Sequence, residues 1–569
     1  MKQDTPHDSG CPARTPLTAM TVAIALLCAA MAVGAQTSDP LRTTVETALQ
    51  TNPEVSARFN AYRAADSAVD VARSNFLPKL DLNASIGRGT TTFNNRDPQT
   101  QSQTRTGVGL TLRQLLWDGL GTASEVRQFG HEKLSRYFEL LDLTEQTALE
   151  AARAHYDLLR YRRLVQLAED NYVQHRYAAL QIDSRVRAGV GRGVDSEQVG
   201  ARQALAESNL TTEVSNLHDV IARYQRIVGE QPPAQLPLPA LMKANMPTSE
   251  ADAVSMAIER NTAISAGIES MRAARAAVSV RESAFQPRVE ARLRGGSGRN
   301  FEALPEQSRN ATAEIVMNWN LFNGGGDRAR VRQQVALVSQ AGDLRDKACR
   351  DARQTTSIAF NDSRRLTEQL EQLDRNTAAI VKTRDAYRQQ FETGVGQRSL
   401  LDLLNAENEV YTAQRAQANA QHDLGLAYVR TQASVNKLVS TLGLAGPGAA
   451  TGPDIDDWTP GEDAPRRCPI LIPELAVTTR PALNTRADQL VKTSQPPASS
   501  SAVLPPVGPA FGPGSTPRVQ GGQLPAPAPR SPSISPSQGL VPRATSPGGN
   551  PSIGPSSTPR APSASPSTR

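Results

Sequence analysis

The stretch Phe76-Leu77-Pro78-Lys79-Leu80 returns later in the chain as Phe285-Gln286-Pro287-Arg288-Val289, and this duplication decides the fold. The shift between the copies is 287 − 78 = 209 residues, and the same shift relates Asn52 to Asn261. Proline disfavours helical backbone in the residue before it, so each copy is predicted to end a helix and begin an extended segment. The chain is therefore predicted to hold two copies of one unit, with a period far longer than that of solenoid repeats.

Two further landmarks follow in the same order within each copy. Leu116-Trp117-Asp118-Gly119 matches Leu321-Phe322-Asn323-Gly324, and Gly189-Val190-Gly191 matches Gly394-Val395-Gly396. Both matches have a shift of 394 − 189 = 205 residues, so one small deletion separates the copies. The predicted domains are a signal peptide at 1–35, a first repeat at 36–232, a linker at 233–249, a second repeat at 250–442 and a tail at 443–569.

The N-terminus has the pattern of a secretory signal peptide. Lys2 and Arg14 supply positive charge, residues 17–33 are apolar, and small residues precede a predicted cut after Ala35. An uncleaved membrane anchor is the alternative, because the apolar run approaches the ~20 residues that a spanning helix needs. The small residues at the end of the run favour cleavage.

Two alternating runs follow the proline in each unit. In the first unit they are residues 80–86 and 108–112, and in the second unit apolar and polar residues alternate over 315–321. A period of two with one apolar face is a strand signature. The polar segments 89–103 and 295–310 are predicted to be the loops between the strands.

Each unit then becomes helical for a long way. Its apolar residues step by three, four or seven, as in the seams of coiled coils; they are Leu210, Val214, Leu217, Ile221 and Tyr224 in one unit and Leu366, Leu370, Leu373, Ile380, Tyr387 and Phe391 in the other. The first long helix, predicted over 119–187, would reach roughly 100 Å. Because glycine adopts backbone conformations that other residues avoid, Gly189, Gly191, Gly394 and Gly396 are predicted to reverse these helices into hairpins.

The strand pairs indicate a membrane protein built from several chains. Strands of about ten residues with one apolar face suit a tilted crossing of a bilayer. Four strands cannot close a barrel, and an open edge is not tolerated in lipid, so several copies must share one barrel. Trp117 and Phe322 end matching strands, where aromatic residues of a membrane interface are expected. The alternatives are a cytosolic coiled coil, which the signal disfavours, and a small soluble sheet, which the long polar loops disfavour.

The charge of the chain is concentrated in its tail. The 569 residues carry a formal net charge of +6, and beyond Asp488 there are Lys and Arg but no acidic residue. Positive charge along a Pro-, Ser- and Gly-rich tail is not a clustered basic surface, so no nucleic-acid partner is predicted. This composition predicts a mostly disordered periplasmic tail over 443–569, with Trp458 and residues 468–475 as candidates to dock on the helices.

Neither the histidines nor the cysteines form a catalytic or metal-binding pattern. The histidines, His131 and His155 among them, are scattered without metal-ligand spacing. Cys349 and Cys468 remain after the signal, and two cysteines so far apart are not predicted to form a disulfide framework. We therefore predict no enzyme activity, no cofactor and no metal site.

The duplicated order of helix, two strands and two long helices resembles the TolC-like outer-membrane efflux and secretion channels over residues 41–442. Residues 112–119, 155–161 and 222–229 look like the type I secretion branch, particularly exporters of large adhesins. The resemblance implies a mainly α chain with a small β part. It implies a homotrimer whose twelve strands make one outer-membrane β-barrel, continued by a coiled-coil tunnel across the periplasm of a Gram-negative cell.

The same resemblance implies partners and leaves three functions open. The partners are a periplasmic adaptor (membrane fusion) protein, an inner-membrane ABC transporter and outer-membrane lipid. The leading function is the export duct of a type I protein secretion system. The alternatives are the outer-membrane factor of a drug or small-molecule efflux pump, and a structural periplasmic coiled-coil protein.

In that family, helix ends after the glycine turn close the periplasmic mouth through polar contacts and acidic rings. By motif position, Arg398 matches the gate arginine and Asp402 a ring aspartate, whereas Asn405 stands at the second ring position and Thr393 replaces an expected tyrosine. Three copies of Asp402 would make a like-charged ring that favours cations. The alternative is that Arg398 and Asp402 form a surface pair four residues apart.

Overall fold

The computed structural model describes residues 39–92, 94, 97, 100–300, 307–393, 399–448, 452–455, 457–474 and 476–494. The predicted signal peptide and the tail after 494 lie outside the described residues. The chain divides into two compact units, Met1–Leu475 and Ala476–Arg569. Within the second unit the structure describes a helix at Arg480–Ser494.

The two repeats contain the same elements in the same order, which confirms the predicted duplication. The first repeat has α1 Pro40–Thr51, α2 Pro53–Ser74, β1 Lys79–Thr92, β2 Thr100–Trp117, α3 Gly121–Arg187 and α4 Gly193–Val228. The second has α5 Glu250–Arg260, α6 Thr262–Glu282, β3 Arg288–Arg299, β4 Gln307–Asn318, α7 Gly326–Thr393 and α8 Leu400–Ser434, followed by the short α9 Leu438–Thr441.

The helical segment at the start of each repeat is broken once, which the sequence analysis did not predict. Asn52 lies between α1 and α2 in extended conformation, and its side chain accepts a hydrogen bond from the backbone amide of Glu54 (2.8 Å). Asn261 lies between α5 and α6 and caps Ile264 in the same way (3.1 Å). The repeated asparagine is therefore a helix N-cap, because its oxygen satisfies an amide that the first turn leaves unpaired.

The strands form one antiparallel sheet in the order β1-β2-β3-β4. Leu112 on β2 lies opposite Leu80 on β1 and Leu293 on β3, and Leu293 lies opposite Ala313 on β4. Much of the polar sequence predicted to be loop is strand, since β1 extends to Thr92 and β3 to Arg299. Backbone pairing continues there although the side chains are polar. By contrast, β4 ends at Asn318, three residues before the predicted alternation stops.

Each long helix begins with the same turn. Gly119 and Gly324 have φ of +67° and +68°, a region that side chains disfavour. The Asp118 carboxylate before the first turn accepts hydrogen bonds from the amide (2.7 Å) and hydroxyl (2.6 Å) of Thr122. The Asp/Asn-Gly landmark is therefore the joint where a strand becomes a helix.

The helices α3 and α7 have 67 and 68 residues, so each reaches roughly 100 Å. Helix α3 packs along α4, α7 packs along α8, and α6 packs against both α3 and α7. The largest apolar core joins α1 to α3, α4 and α8 around Leu41, Ala151, Leu158 and Val429. No helix among the described residues is both long and apolar enough to span a membrane.

Candidate functional site

One face of the sheet is apolar and exposed. Ile86 is 82% exposed and Ile315 is 74% exposed. The register places the other apolar strand residues on the same face; they are Leu80, Leu82, Val108, Leu110, Leu112, Leu293 and Met317. The opposite face is polar and includes an Asp81–Arg113 ion pair of 2.5 Å. A contiguous exposed apolar face of this size marks a surface that is covered by lipid or by protein.

Both edges of the sheet are open within the described residues. Strand β1 pairs only with β2, and β4 pairs only with β3. Their outer backbone amides and carbonyls therefore lack strand partners. Unpaired edges are costly in lipid and are templates for another strand.

Matching hydrogen bonds tie each strand pair to the preceding helix. Gln114 donates from its side-chain amide to the carbonyl of Phe76 (2.9 Å), and Trp319 donates from its indole nitrogen to the carbonyl of Phe285 (3.1 Å). Trp117, the last residue of β2, is 45% exposed, and Phe322, beyond the end of β4, is 86% exposed. Their exposure at the helix side of the sheet is compatible with the predicted interfacial role, which stays a prediction.

The far end of the first helical hairpin turns at the predicted glycines. Gly189 has φ of +76° and donates to the carbonyl of Val186 (3.0 Å), while Gly191 donates to that of Arg185 (3.1 Å). The corresponding turn of the second hairpin, with Gly394, Gly396 and the predicted gate residue Arg398, lies outside the described residues.

The two other predicted gate residues occupy the start of α8. Asp402 forms a capping box with Ser399: each side chain accepts from the other residue's backbone amide, at 3.2 Å in both directions. Asn405 is exposed and accepts a hydrogen bond from the guanidinium of Arg202 on α4 (3.0 Å). The residue that replaces the second ring aspartate is thus tied to the other helical hairpin.

A second polar contact between the two helical hairpins lies farther from the glycine turns. Arg388 on α7 donates to Gln174 on α3 (2.9 Å) and to Glu407 on α8 (2.5 Å), and Arg384 also donates to Glu407 (3.0 Å). Glu407 is buried. The sequence does not predict this cluster, because charged residues on helices are ordinarily solvated and nothing in a single sequence shows which of them meet across helices.

Residues 452–455 and 457–474, called the C-terminal strap here, are bonded to the helices. Cys468 forms a disulfide with Cys349 on α7. The expectation that two cysteines so far apart make no disulfide framework missed this bond, because the fold brings residues 119 positions apart into contact. The described residues of the strap are docked on the helices, so the predicted disorder does not extend over them.

A buried carboxylate anchors the strap. Glu269 on α6 is fully buried and accepts hydrogen bonds from His131 (2.7 Å), Arg272 (2.7 Å) and the indole of Trp458 (2.8 Å). Burial alone would raise the pKa of Glu269, but these three donors outweigh it and hold the pKa below its ordinary value. Trp458 also packs on Phe138, with ring centroids 4.9 Å apart.

Burial shifts the pKa of two other groups, one downward and one upward. Burial lowers the pKa of His155 to about 4, and its Nδ1 lies 3.0 Å from the Thr44 hydroxyl. Burial raises the pKa of Glu145 to about 7, against opposing hydrogen bonds from the Val439 and Leu438 amides. Neither belongs to a cluster with the geometry of a catalytic or metal site, and no three His, Cys, Asp or Glu residues among those described could hold a metal ion.

Likeness to known proteins defines the class of this chain. It matches 86% of the Campylobacter jejuni CmeC outer membrane channel, over 70% of its own length, with a TM-score of 0.63 and 15% identity. The predicted fold class is confirmed. The chain is mainly α with a small antiparallel sheet, as in the channels that join a β-barrel to a helical tunnel. The fold is therefore that of an outer-membrane channel.

The family follows from the sequence comparison. The family model described as outer membrane efflux protein matches residues 44–229 and 253–437. Over 418 residues the chain is 26% identical to outer membrane efflux protein BepC of Brucella suis, covering 72% of this chain and 88% of that protein. Outer membrane protein TolC of Escherichia coli is 22% identical over 420 residues, covering 69% and 80%.

This chain belongs to the outer membrane efflux protein family. It is an outer-membrane protein that extends into the periplasm. Its family and fold are those of passive channels. A structural periplasmic coiled-coil protein, the last of the three functions considered, is not consistent with this membership.

Proposed function

We propose that three copies of this chain close into one outer-membrane duct whose helices continue as a tunnel through the periplasm. The observation that carries the proposal is the four-stranded sheet with an exposed apolar face and two open edges. Lipid accepts such a face only when every backbone group is paired, which a closed barrel achieves. Joining the β4 edge of one copy to the β1 edge of the next gives twelve strands from three copies.

The helical hairpins are the walls of the proposed tunnel. Helix α8 packs against α7 and α3, whereas α4 packs mainly against α3. The outer sides of α4 and α7 are therefore the flanks on which neighbouring copies meet. Because α3 and α7 reach roughly 100 Å, they are long enough to extend from the barrel far into the periplasm.

The proposed gate lies at the ends of these hairpins and consists of Arg398, Asp402 and Asn405. Asp402 lies in the first turn of α8, where three copies around one axis would bring three carboxylates together. Such a ring attracts cations and repels anions. The Arg202–Asn405 hydrogen bond holds the neighbouring position of α8 to α4, so opening requires this tie to break or to move with both hairpins.

The cargo we propose is protein, exported by a type I secretion system. Support comes from the resemblance of residues 112–119, 155–161 and 222–229 to that branch of the family. An adaptor and an inner-membrane ABC transporter would then dock at the hairpin ends. Large adhesins are the proposed protein class.

Small-molecule efflux is the second candidate. It is favoured by the name of one relative, the outer membrane efflux protein BepC, which is 26% identical to this chain. A passive tunnel has no specific cargo site, so the same wall and gate would serve both uses.

A deletion strain separates these two cargoes. The gene is removed and restored on a plasmid, and culture supernatants are compared by quantitative mass spectrometry while drug susceptibility is measured in parallel. Loss of one or a few large secreted proteins, with unchanged susceptibility, is expected for secretion. Hypersensitivity to several drugs with an unchanged secreted proteome would contradict it and favour efflux.

A further inference from the structure

The C-terminal strap and the residues just before it contact α2, α3, α6 and α7 in turn. The strap begins beyond Gly448, whose backbone packs against the ring of Phe59 on α2. It then passes α3, where Gly452 contacts Tyr137 and Trp458 packs on Phe138. The strap therefore runs from the side of the molecule that carries α2 toward α6 and α7.

The second half of the strap is fixed to α6 and α7. Arg272 on α6 donates to the Asp463 carboxylate (2.9 Å), and Arg345 on α7 donates to the Asp463 carbonyl (2.6 Å). Beyond this point Cys468 is bonded to Cys349, and Arg353 donates to the carbonyl of Pro469 (2.8 Å). The strap is thus covalently held at its far end.

The end of the strap lies on the outer side of α7. Ala348 and Asp351 line a cavity of about 580 Å³ whose other walls come from α3, α8 and the start of α6, so their side of α7 faces these helices. Arg350 and Arg353 contact the strap instead. Two residues along a helix correspond to a rotation of about 200°, so the strap ends on the side of α7 that faces away from α3.

Helix α7 follows β4, the last strand of the sheet, and α2 precedes β1, the first strand. In the proposed trimer, the β4 edge of one copy meets the β1 edge of the next. Helix α7 of one copy, with the strap on its outer side, therefore lies beside α2 of the next copy.

The last strap residues are apolar and exposed. Ile470, Leu471 and Ile472 are 50%, 61% and 46% exposed, and they lie between Pro469 and Pro473. They have no regular secondary structure, and their position is fixed by the disulfide just before them. An anchored run of three large apolar residues in water is unfavourable, because burial of apolar surface stabilises proteins and their assemblies.

Helix α2 carries a fitting surface. Its buried side, with Val55 and Tyr62, faces the interior of its own copy, whereas Ala57 and Ala64 are exposed. Small side chains leave room for branched ones from a neighbour. At about 1.5 Å per residue, Cys349 lies about 35 Å along α7 from the sheet end of that helix, and Pro53 lies about 32 Å along α2 from its own sheet end. The strap end therefore meets the next copy at the level of the first turns of α2.

We propose that Ile470, Leu471 and Ile472 dock on the first turns of α2 in the next copy, so that three disulfide-anchored straps join end to end around the trimer. The occupant of this apolar surface is thus a second copy of the same chain. The inference rests on the proposed trimeric assembly.

Site-specific photo-crosslinking in the full-length protein tests the contact. A benzophenone amino acid is placed at Leu471, and at Glu462 as the control, which is also exposed on the strap but lies before the crossing of α7. Illumination of cells should give covalent chain–chain products at Leu471 and none at Glu462. Mass spectrometry should locate the adduct within residues 40–74 of the second copy.

A second measurement uses no crosslinker. The variant with Ile470→Ser, Leu471→Ser and Ile472→Ser should form trimers that dissociate at a lower temperature in detergent than those of the wild type. The trimer itself is measured separately by native mass spectrometry.

The outcomes distinguish this inference from the assembly on which it rests. A trimer whose Leu471 position links only to another protein, or to nothing, overturns the docking and leaves the duct intact. A trimer whose dissociation temperature is unchanged by the three serines overturns it equally. A chain that forms no trimer in the membrane overturns the proposed function and the docking together.

Discussion

Removing the disulfide should release the C-terminal strap without unfolding the helices. The variant carries Cys349→Ser and Cys468→Ser. When the non-covalent contacts of Trp458 and Asp463 open, the strap is still closed between its start at Gly448 and the disulfide, as a loop of 468 − 448 = 20 residues. Closing a loop of roughly 20 residues is worth about 3 kcal/mol in the chain-entropy treatment of disulfides. At 1.4 kcal/mol for each factor of ten, opening of the strap should become on the order of a hundredfold more frequent.

Hydrogen–deuterium exchange measures this opening directly. The strap amides of Trp458 and Asp463 donate to the carbonyls of Ile455 and Pro460 (both 3.0 Å), so they exchange slowly only while the strap keeps its conformation. Their exchange should accelerate in the double variant, while peptides from the middle of α3 keep wild-type rates. Unchanged strap exchange would contradict this expectation and show that the non-covalent contacts of Trp458 and Asp463 hold the strap without the disulfide. Two freely alkylatable thiols in the oxidised wild-type protein would refute it more directly.

Three further changes have expected outcomes. Glu145→Gln should not alter the free energy of unfolding near pH 4 but should raise it at pH 8 by about 3 kcal/mol. Burial raises the pKa of Glu145 from 4.5 to about 7, so the neutral carboxyl favours the folded state below pH 4.5. This contribution is lost as the pH rises through 7, and the uncharged glutamine avoids the loss. Urea titrations at pH 4 and pH 8 check this, and an equal difference at the two would contradict it. Leu82→Arg on the apolar face should destabilise membrane assembly by up to roughly 2–4 kcal/mol, whereas Asn83→Arg on the polar face should be tolerated. Heat-modifiability gels report the folded, assembled fraction of each variant. Equal loss of that fraction in both variants would contradict the assignment of the two faces. Gly119→Ala should destabilise the fold by more than the ~1–2 kcal/mol of a left-handed conformation, because its methyl group would lie 2.5 Å from Cβ of Gln286. Gly324→Ala meets no neighbour within 4 Å and should lose only the conformational part. Thermal melts in which Gly324→Ala has the lower melting temperature would count against the same turn at both positions.

The repeat made most of the fold predictable. Pro78 and Pro287 act on the backbone next to them, so they show from sequence alone where a helix ends and a strand begins. The alternation of Leu80 and Leu82 with polar residues likewise predicted the apolar face. Asn52 and Asn261 were recognised as equivalent, but their role as N-caps required the structure, because helical composition on both sides concealed the break.

Contacts between distant residues were not predictable in the same way. The Cys349–Cys468 disulfide and the Trp458–Glu269 hydrogen bond depend on how α6, α7 and the strap pack, and a single sequence carries no periodic signal for that packing. The composition of the tail favoured disorder because it has few apolar residues. A disulfide and a few charged contacts outweigh that tendency for the strap.

The candidate gate was reached only through the family resemblance. Asp402 and Asn405 are charged or polar residues near a helix start, and by sequence they are indistinguishable from ordinary capping and surface positions. The structure gives Asp402 a capping partner and Asn405 a partner on α4, so each has a local role besides the proposed one. Their roles in gating stay predictions, as does that of Arg398.

The most direct test of the proposed duct is single-channel conductance of the purified, detergent-extracted protein in planar bilayers, with wild type compared to Arg398→Ser. We expect cation-selective pores from a trimer, with a higher conductance in the variant. An unchanged conductance would contradict the gate role of Arg398 but not the proposed duct. Folded protein that neither forms pores nor associates with membranes would contradict the central claim.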